Sequence, residues 1–480
     1  MSGKQTQGIG IRGALVIQFG SKYANVVIQL IVTAILARLL TPTQYGTVAI
    51  VTVFTSFFSI LADSGIAPAI IQFKDLSEDD LSGLFVFSVL FGCVLLLVFY
   101  FASYPIATVY GDPELVGLCH LASISILANA ANMVPNGILL RDKRFLSTGI
   151  RLLVVTTISG LVAVFLAFRG FGAYSLVIQS VVLSIGVFVW SLLSSRLVVR
   201  SVRFMAPLKR ILSYSLFQAG FTIVNYFSRN LDNMLIGAQL GTEALGYYDK
   251  AYKLTTYPIS FLASIVGSVL QPYLSEYQDN KQVLCEKWLS IAKALSVIAA
   301  PIATIMVCAA GELVIIVFGD QWMQSVPLFQ ALAISVYFQV INNPTGAIFQ
   351  SSGRTDYMFF HALVSTGITV LLLFAGLSTG SVTWAAIGIS AAYCLHTVSL
   401  LYFLIHKTLS SNPFGFACHF LPELILAIAA CFLNLYIFRY FSFDILVSLF
   451  LKILIILAIF CVGYYFTNQF AILKVLKKQS

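Results

Sequence analysis

Charge is what this sequence has least of. Only 10% of its residues are Asp, Glu, Lys or Arg, against about a quarter in soluble globular proteins. With 59% apolar residues and a mean hydropathy of +0.93, the chain is not a soluble enzyme carrying an anchor. It reads as a polytopic membrane protein. Paired cysteines are missing as well. Cys93, Cys119, Cys285, Cys308, Cys394, Cys418, Cys431 and Cys461 form no CxxC motif and lie mostly in apolar segments, so they read as free thiols acting as small hydrophobes. No glycine loop of the P-loop kind occurs, which excludes ATP hydrolysis by the chain itself. No basic stretch is interleaved with aromatics, so nucleic acid is not an expected partner. The net charge of +9 reports on loops and orientation instead. No metal or cofactor is implied. The loop carboxylates Asp112, Glu114, Glu243, Asp249, Glu312 and Asp320 show no acid–base spacing, and Glu78, Asp79 and Asp80 read as a solvated turn. An enzyme is therefore not expected.

What is there are long apolar runs. A span needs about 20 residues. Spans are expected at 14–37, 47–70, 83–107, 115–140, 147–168, 173–195, 213–237, 247–271, 289–310, 326–349, 357–378, 382–405, 416–438 and 444–468. Pro135 and Pro344 mark possible kinks in the fourth and tenth. The first is longer than a signal-peptide core and is expected to be retained. Lys and Arg in the loops fall roughly 20 on one side against 5 on the other, which sets both termini in the cytoplasm. The majority side includes Arg141, Lys143, Arg144, Arg151, Arg196, Arg200, Lys287 and Lys293; the minority is Arg38, Arg169, Lys250, Lys253 and Arg439. Lys452 stays within a span, as a snorkelling group or a lobe contact.

Two apolar segments carry a polar stripe. Gln18, Lys22, Asn25 and Gln29 interrupt the first; Gln218, Thr222, Asn225, Arg229 and Asp232 interrupt the seventh. Steps of i, i+4, i+7, i+11 and i+14 lie within an arc of roughly 80° on a helix. Ionisable groups in a membrane are costly, so such a face is expected to line a bundle interior or a water-filled cavity. Arg229 and Asp232 stand i, i+3 and also suit an intrahelical pair. Asp63, near the end of the second span, suits a coupling-ion site or a helix-end anchor.

The stripe belongs to a longer repeat. At an offset of 200, Gln18 matches Gln218, Gly20 Gly220, Asn25 Asn225, Leu40 Leu240 and Gly46 Gly246, so LARLLTPTQYG aligns with IGAQLGTEALG. Further on, Val109-Tyr110-Gly111-Asp112 matches Val317-Phe318-Gly319-Asp320, and Pro135-Asn136-Gly137 matches Pro344-Thr345-Gly346. Six spans separate matched elements, an even number, so the halves share one orientation and a pseudo-twofold axis along the membrane normal. The expected organisation is an N-terminal six-helix lobe (12–195), a basic amphipathic connector (196–211), a second six-helix lobe (212–405) and an accessory helix pair (416–468). The turns 41–46 and 241–246 suit either plain helix-connecting turns or a gate whose two sides approach each other when the cavity opens inward.

The segments RGALVIQFGSKYANVVIQLIVTAILARLLTPTQYGTVAIV and SRNLDNMLIGAQLGTEALGYYDKAYKL resemble the Wzx-type polysaccharide flippases, nearest the colanic-acid-exporter-like branch. These belong to the multidrug, oligosaccharidyl-lipid and polysaccharide exporter superfamily. The resemblance implies two six-helix lobes plus two helices, alternating access, and a lipid-linked oligosaccharide on undecaprenyl pyrophosphate in the bacterial inner membrane. Membrane lipids and polysaccharide polymerase or assembly machinery are the implied partners. Under it, Lys22 and Arg229 would neutralise the pyrophosphate, Arg151 would help admit it, and Gln18, Asn25, Gln218, Asn225 and Asn129 would hydrogen-bond sugar hydroxyls. Asp232 and Asp63 would be candidates for a coupling ion. The alternatives are a multidrug cation exporter of the same superfamily and a membrane polymerase or glycosyltransferase. The first would favour carboxylates where helix one has Lys22.

Overall fold

The computed structural model describes residues 11–469 apart from Ser64, Lys74, Ser201, Asp279, Ser442 and Asn468; for 11–19, 210–221, 224, 225, 228, 263–273 and 275 it describes the backbone alone. Every regular element among the described residues is helical. The order is α1 (Ile11–Leu39), α2 (Pro42–Asp63), α3 (Ile66–Gln72), α4 (Glu78–Tyr110), α5 (Glu114–Arg141), α6 (Phe145–Phe168) and α7 (Ala173–Ser195). Next come α8 (Met205–Ser275), α9 (Lys281–Cys308), α10 (Ala310–Phe318), α11 (Ser325–Asn342), α12 (Thr345–Ser351), α13 (Thr355–Leu377) and α14 (Val382–Leu400), which runs on as a π-helical stretch (Leu401–Thr408). Last are α15 (Pro413–Cys418), α16 (Leu421–Tyr440) and α17 (Ile445–Phe466).

Twelve membrane-length apolar spans lie among the described residues. The two further expected spans, 213–237 and 247–271, fall on the two arms of α8, which bends at Gly241 (φ 87°). The chain is an all-α polytopic membrane protein. The proline kinks resolve differently. Pro135 sits inside an unbroken α5, whereas Pro344 stands in the break between α11 and α12. Gly65 (φ 74°), in the left-handed region, divides the second span into α2 and α3.

Helix starts follow local chemistry. Ser77 and Asp80 cap α4 reciprocally: Asp80 N–H donates to Ser77 Oγ at 3.1 Å, and Ser77 N–H to Asp80 Oδ2 at 3.0 Å. The acidic run 78–80 is thus the first turn of α4, where carboxylates favour the helix dipole. Thr41 and Gln44 make the corresponding exchange at α2, at 3.0 and 3.3 Å.

The chain forms two compact units, Met1–Gly246 and Tyr247–Ser480. In the first, α4 and α7 pack on α5, α6 on α1, and α2 on α5. In the second, α13 packs on α14, α11 on α9 and α14, and α16 on α9 and α17. Large apolar side chains such as Phe101, Leu161, Leu371 and Phe450 point outward, as lipid-facing positions do. Of the connector 196–211, residues 197–200 and 202–204 are irregular and residues 205–211 open α8. The connector docks on the start of α4. Arg200 N–H donates to Ser82 Oγ at 2.9 Å, Arg200 pairs with Glu78 at 2.6 Å, and Leu197 and Leu208 pack on the cluster around Ile70, Leu84 and Val134.

Candidate functional site

The helix period predicted by the stripes is the one the backbone adopts. On α1, Lys22 and Gln29 are exposed, while Asn25 between them is 9% exposed and its Oδ1 has no partner. On the first arm of α8, Arg229 is exposed, Thr222 half-buried and Asp232 buried, its Oδ1 accepting from the Asn233 N–H at 2.9 Å. The side chains of Gln18, Gln218 and Asn225 lie outside the described residues. One helical step from Arg229 the arm turns an aromatic face to α2. Tyr226 OH donates to the Val53 carbonyl, and Phe57 stands 5.1 Å from Phe227 and 6.1 Å from Tyr226, ring to ring. These rings line an apolar cavity of about 310 Å³ with Phe54, Pro105 and Met234. Tyr110 OH at the end of α4 donates to the Met234 carbonyl at 3.2 Å. Of this aromatic face, Tyr226 is legible in the sequence as a ring that could stack on a sugar; its packing on α2 is not, because aromatics are ordinary in an apolar run.

Three other candidates are placed apart from the stripes. Asp63 is exposed at the end of α2, beside the break at Gly65. Arg151 ties three helices together: it donates to Ser191 Oγ of α7 at 2.5 Å and Asn136 Oδ1 of α5 at 3.1 Å, and its buried Nε has no partner. Asn129 faces a cavity of about 350 Å³ between α2, α5 and α7 that is rich in hydroxyls, among them Thr52, Thr55, Ser56, Ser59 and Ser180. Its Nδ2 donates to Ser59 Oγ at 3.1 Å.

The turns after α1 and within α8 touch. A Cβ on Gly46 would run into the carbonyl of Thr242, and one on Gly246 into the carbonyl of Pro42. Each glycine lets the partner backbone approach as no other residue would. The contact is reciprocal in the repeat's own numbering, since Pro42 and Thr242 are themselves 200 residues apart, as Gly46 and Gly246 are.

The profile of the family described as polysaccharide biosynthesis protein matches residues 35–327, more than half of the chain. The chain belongs to that family. A teichuronic acid biosynthesis protein, TuaB of Bacillus subtilis (strain 168), is 28% identical over 82% of this chain and 82% of its own length. A lipopolysaccharide biosynthesis protein, WzxC of Escherichia coli (strain K12), is 22% identical over 80% and 78%. Among solved structures, the lipid II flippase MurJ in an inward closed conformation superposes with a TM-score of 0.74, at 13% identity, over 95% of this chain and all of MurJ. That likeness speaks for the fold alone. The resemblance thus holds for the family, polysaccharide biosynthesis protein, and for the fold.

The fold also buries charges that the sequence reading places in loops. Lys293 lies inside α9, 5% exposed, and pairs at 2.6 Å with Glu423 of α16, which is fully buried; its Nζ also donates to the His419 carbonyl. Lys250 is 1% exposed against Phe318 and Trp322, its Nζ 5.7 and 5.9 Å from the ring centres. Both therefore drop out of the loop-charge count, which could not see partners folded on from elsewhere. Lys452 makes a helix contact: its Nζ donates to Glu312 Oε1 at 2.5 Å and to the Cys308 carbonyl at 3.0 Å, and Ser448 Oγ joins Glu312 at 2.6 Å. Two charge clamps thus fasten α16 and α17 to α9 and α10.

Proposed function

We propose that the chain moves an oligosaccharide linked to undecaprenyl pyrophosphate across the bacterial inner membrane by alternating access, both termini being cytoplasmic, and hands it to a polysaccharide polymerase. The carrying observation is the pair of polar stripes on equivalent helices, each with one exposed cation, Lys22 and Arg229. A pyrophosphate leaving water needs its charge balanced. An ammonium does this as a point charge and a guanidinium by bidentate hydrogen bonds. A cation exporter would want carboxylates there, and α1 carries none. The reciprocal contact of Gly46 with Thr242 and Gly246 with Pro42 supports the second half of the reading. Alternating access between two parallel repeats needs an end that closes along the pseudo-twofold axis, and such an axis makes contacts mutual.

The test is export of polymer in cells expressing variants at normal protein level. Lys22→Ala and Arg229→Ala each abolish export, and Arg229→Lys restores it in part because the fork geometry is lost. Normal export from the Lys22→Ala, Arg229→Ala double variant would sink the reading.

A further inference from the structure

Where α9, α16 and α17 meet, the fold brings together two thiols that transport does not use. Cys308 ends α9, and Cys431 lies midway along α16. Their sulfurs are 3.5 Å apart, the Cys308 S–H donating to Cys431 Sγ. They stand 123 residues apart in the chain, so no spacing motif announces the pair. The junction is held on both sides. Lys452 of α17 grips the Cys308 carbonyl and Glu312, and Lys293 of α9 is paired with Glu423 two turns before Cys431. A disulfide needs its sulfurs at about 2.05 Å, a shortening that side-chain rotation and a small helix adjustment supply.

Cys431 has a second neighbour. It lines an apolar cavity of about 370 Å³ between α9, α11 and α16. Ile334, Ile428, Phe432 and Leu435 on its rim are at least half exposed, so it opens on the lipid-facing surface. Such a cavity admits an apolar molecule from the acyl layer and disfavours a hydrated one.

We propose that Cys308 and Cys431 form a reversible disulfide on meeting an apolar organic hydroperoxide dissolved in the membrane. The Cys431 sulfur attacks the terminal peroxide oxygen. An S–O bond forms as the O–O bond breaks, and the alkoxide takes the thiol proton and leaves as an alcohol. The Cys308 sulfur then attacks the sulfenic acid at Cys431. The S–S bond forms, the S–O bond breaks, and hydroxide leaves with the Cys308 proton as water. Two thiols lose two electrons, and one hydroperoxide becomes one alcohol and one water. The product staples α16 to α9 and fixes one wall of the cavity.

The experiment exposes membranes carrying the full chain to cumene hydroperoxide, then denatures, blocks free thiols with N-ethylmaleimide and maps the peptides. The expected result is paired loss of alkylation at Cys308 and Cys431, with the joined peptide recovered and split by a reductant, at doses that leave Cys93 and Cys461 alkylated. Those two are exposed on the bundle surface and report oxidation without a partner. In Cys308→Ser the intermediate has nothing to condense with, so dimedone labels Cys431. If Cys93 and Cys461 oxidise while Cys308 and Cys431 stay alkylatable, or if Cys431 oxidises in the unaltered chain without the joined peptide, the proposal is overturned. The readout is thiol chemistry, so neither result bears on the transport reading.

Discussion

The two repeats keep the same backbone punctuation and fill it with different chemistry. Gly111 (φ 66°) follows α4 and its match Gly319 (φ 100°) follows α10. Beyond the matches seen in the sequence, Lys143 (φ 56°) answers to Gly353 (φ 66°), and Gly170 (φ 81°) to Gly380 (φ 70°). Positive-φ positions therefore recur in order between the matched helices. The interiors do not. Between α2, α5 and α7 the first repeat has neutral hydroxyls around Asn129, and elsewhere it holds Arg151 on Ser191 and His120 on Ser103, none of them in an ion pair among the described contacts. The second has buried Lys250, the Lys293–Glu423 pair, the Lys452–Glu312 pair, and two histidines, His361 on Ser399 at 2.9 Å and His396 on the Ser365 carbonyl at 2.9 Å. Both ion pairs reach α16 or α17, for which the first repeat has no counterpart. Apolar lipid gives helices little reason to associate, so an added helix pair must be held by packing and polar contacts. The difference between the repeats is, in large part, the attachment of that pair.

The largest effect should come from cutting that attachment. Lys293→Ala leaves Glu423 buried without its cation, and Glu423→Ala does the converse; losing one partner of a buried pair costs about 3–5 kcal/mol. Either variant should accumulate poorly and unfold early in detergent. Lys293→Met with Glu423→Leu should recover most of the loss, because matched apolar side chains carry no stranded charge. If both single variants are as stable as the parent, the clamp holds nothing and the comparison of the two interiors loses its explanation.

The next effect tests the symmetry itself. The contact at Gly46 and Gly246 is mutual, so Gly46→Leu and Gly246→Leu should impair export to a similar degree. Each forces a side chain against a backbone carbonyl, and overpacking of this kind costs roughly 1–3 kcal/mol. An oxidant-driven cross-link between Gln44→Cys and Ala244→Cys should stop export, and reduction should restore it. A cross-link that forms while export continues would show that these turns gate nothing.

How far the sequence reached can be read from single residues. Spans were legible because a membrane helix must be long and apolar throughout, and the ends of α6 and α7 fall within two residues of the expected limits. The stripes are a 3.6-residue pattern in the sequence, and the structure divides their members: Lys22 and Arg229 are exposed, Asn25 and Asp232 buried. Partners were not legible. Glu423 and Lys293 are 130 residues apart, Glu312 and Lys452 140, and neither spacing has a local signature. A lone lysine near a span end reads as a loop charge until the helix that neutralises it is in place. Ser77 through Asp80 was the opposite case. The capping pattern is present in the sequence, and the acidic run is both solvated and the first turn of α4.

The smallest effect is also the finest test of the repeat. Lys143 and Gly353 occupy matched turns with nearly the same φ, yet only one is glycine. An L-residue in the left-handed region loses about 1–2 kcal/mol to the clash of Cβ with the carbonyl, while glycine loses roughly 0.4–1 kcal/mol in unfolded-state entropy. The two terms oppose each other and the first is the larger. Lys143→Gly should therefore stabilise the protein slightly and Gly353→Ala should destabilise it by a similar amount, on the order of 1 kcal/mol or less. Lys143→Ala, which removes the charge but keeps a Cβ, separates the backbone term from the ammonium. Thermal unfolding of the purified protein in one detergent reads all three. Opposite signs for Lys143→Gly and Gly353→Ala are expected, with Lys143→Ala near zero. The same sign for both would mean that the matched turns are alike in angle but not in strain, and that the repeat is preserved in shape without being equivalent in energy.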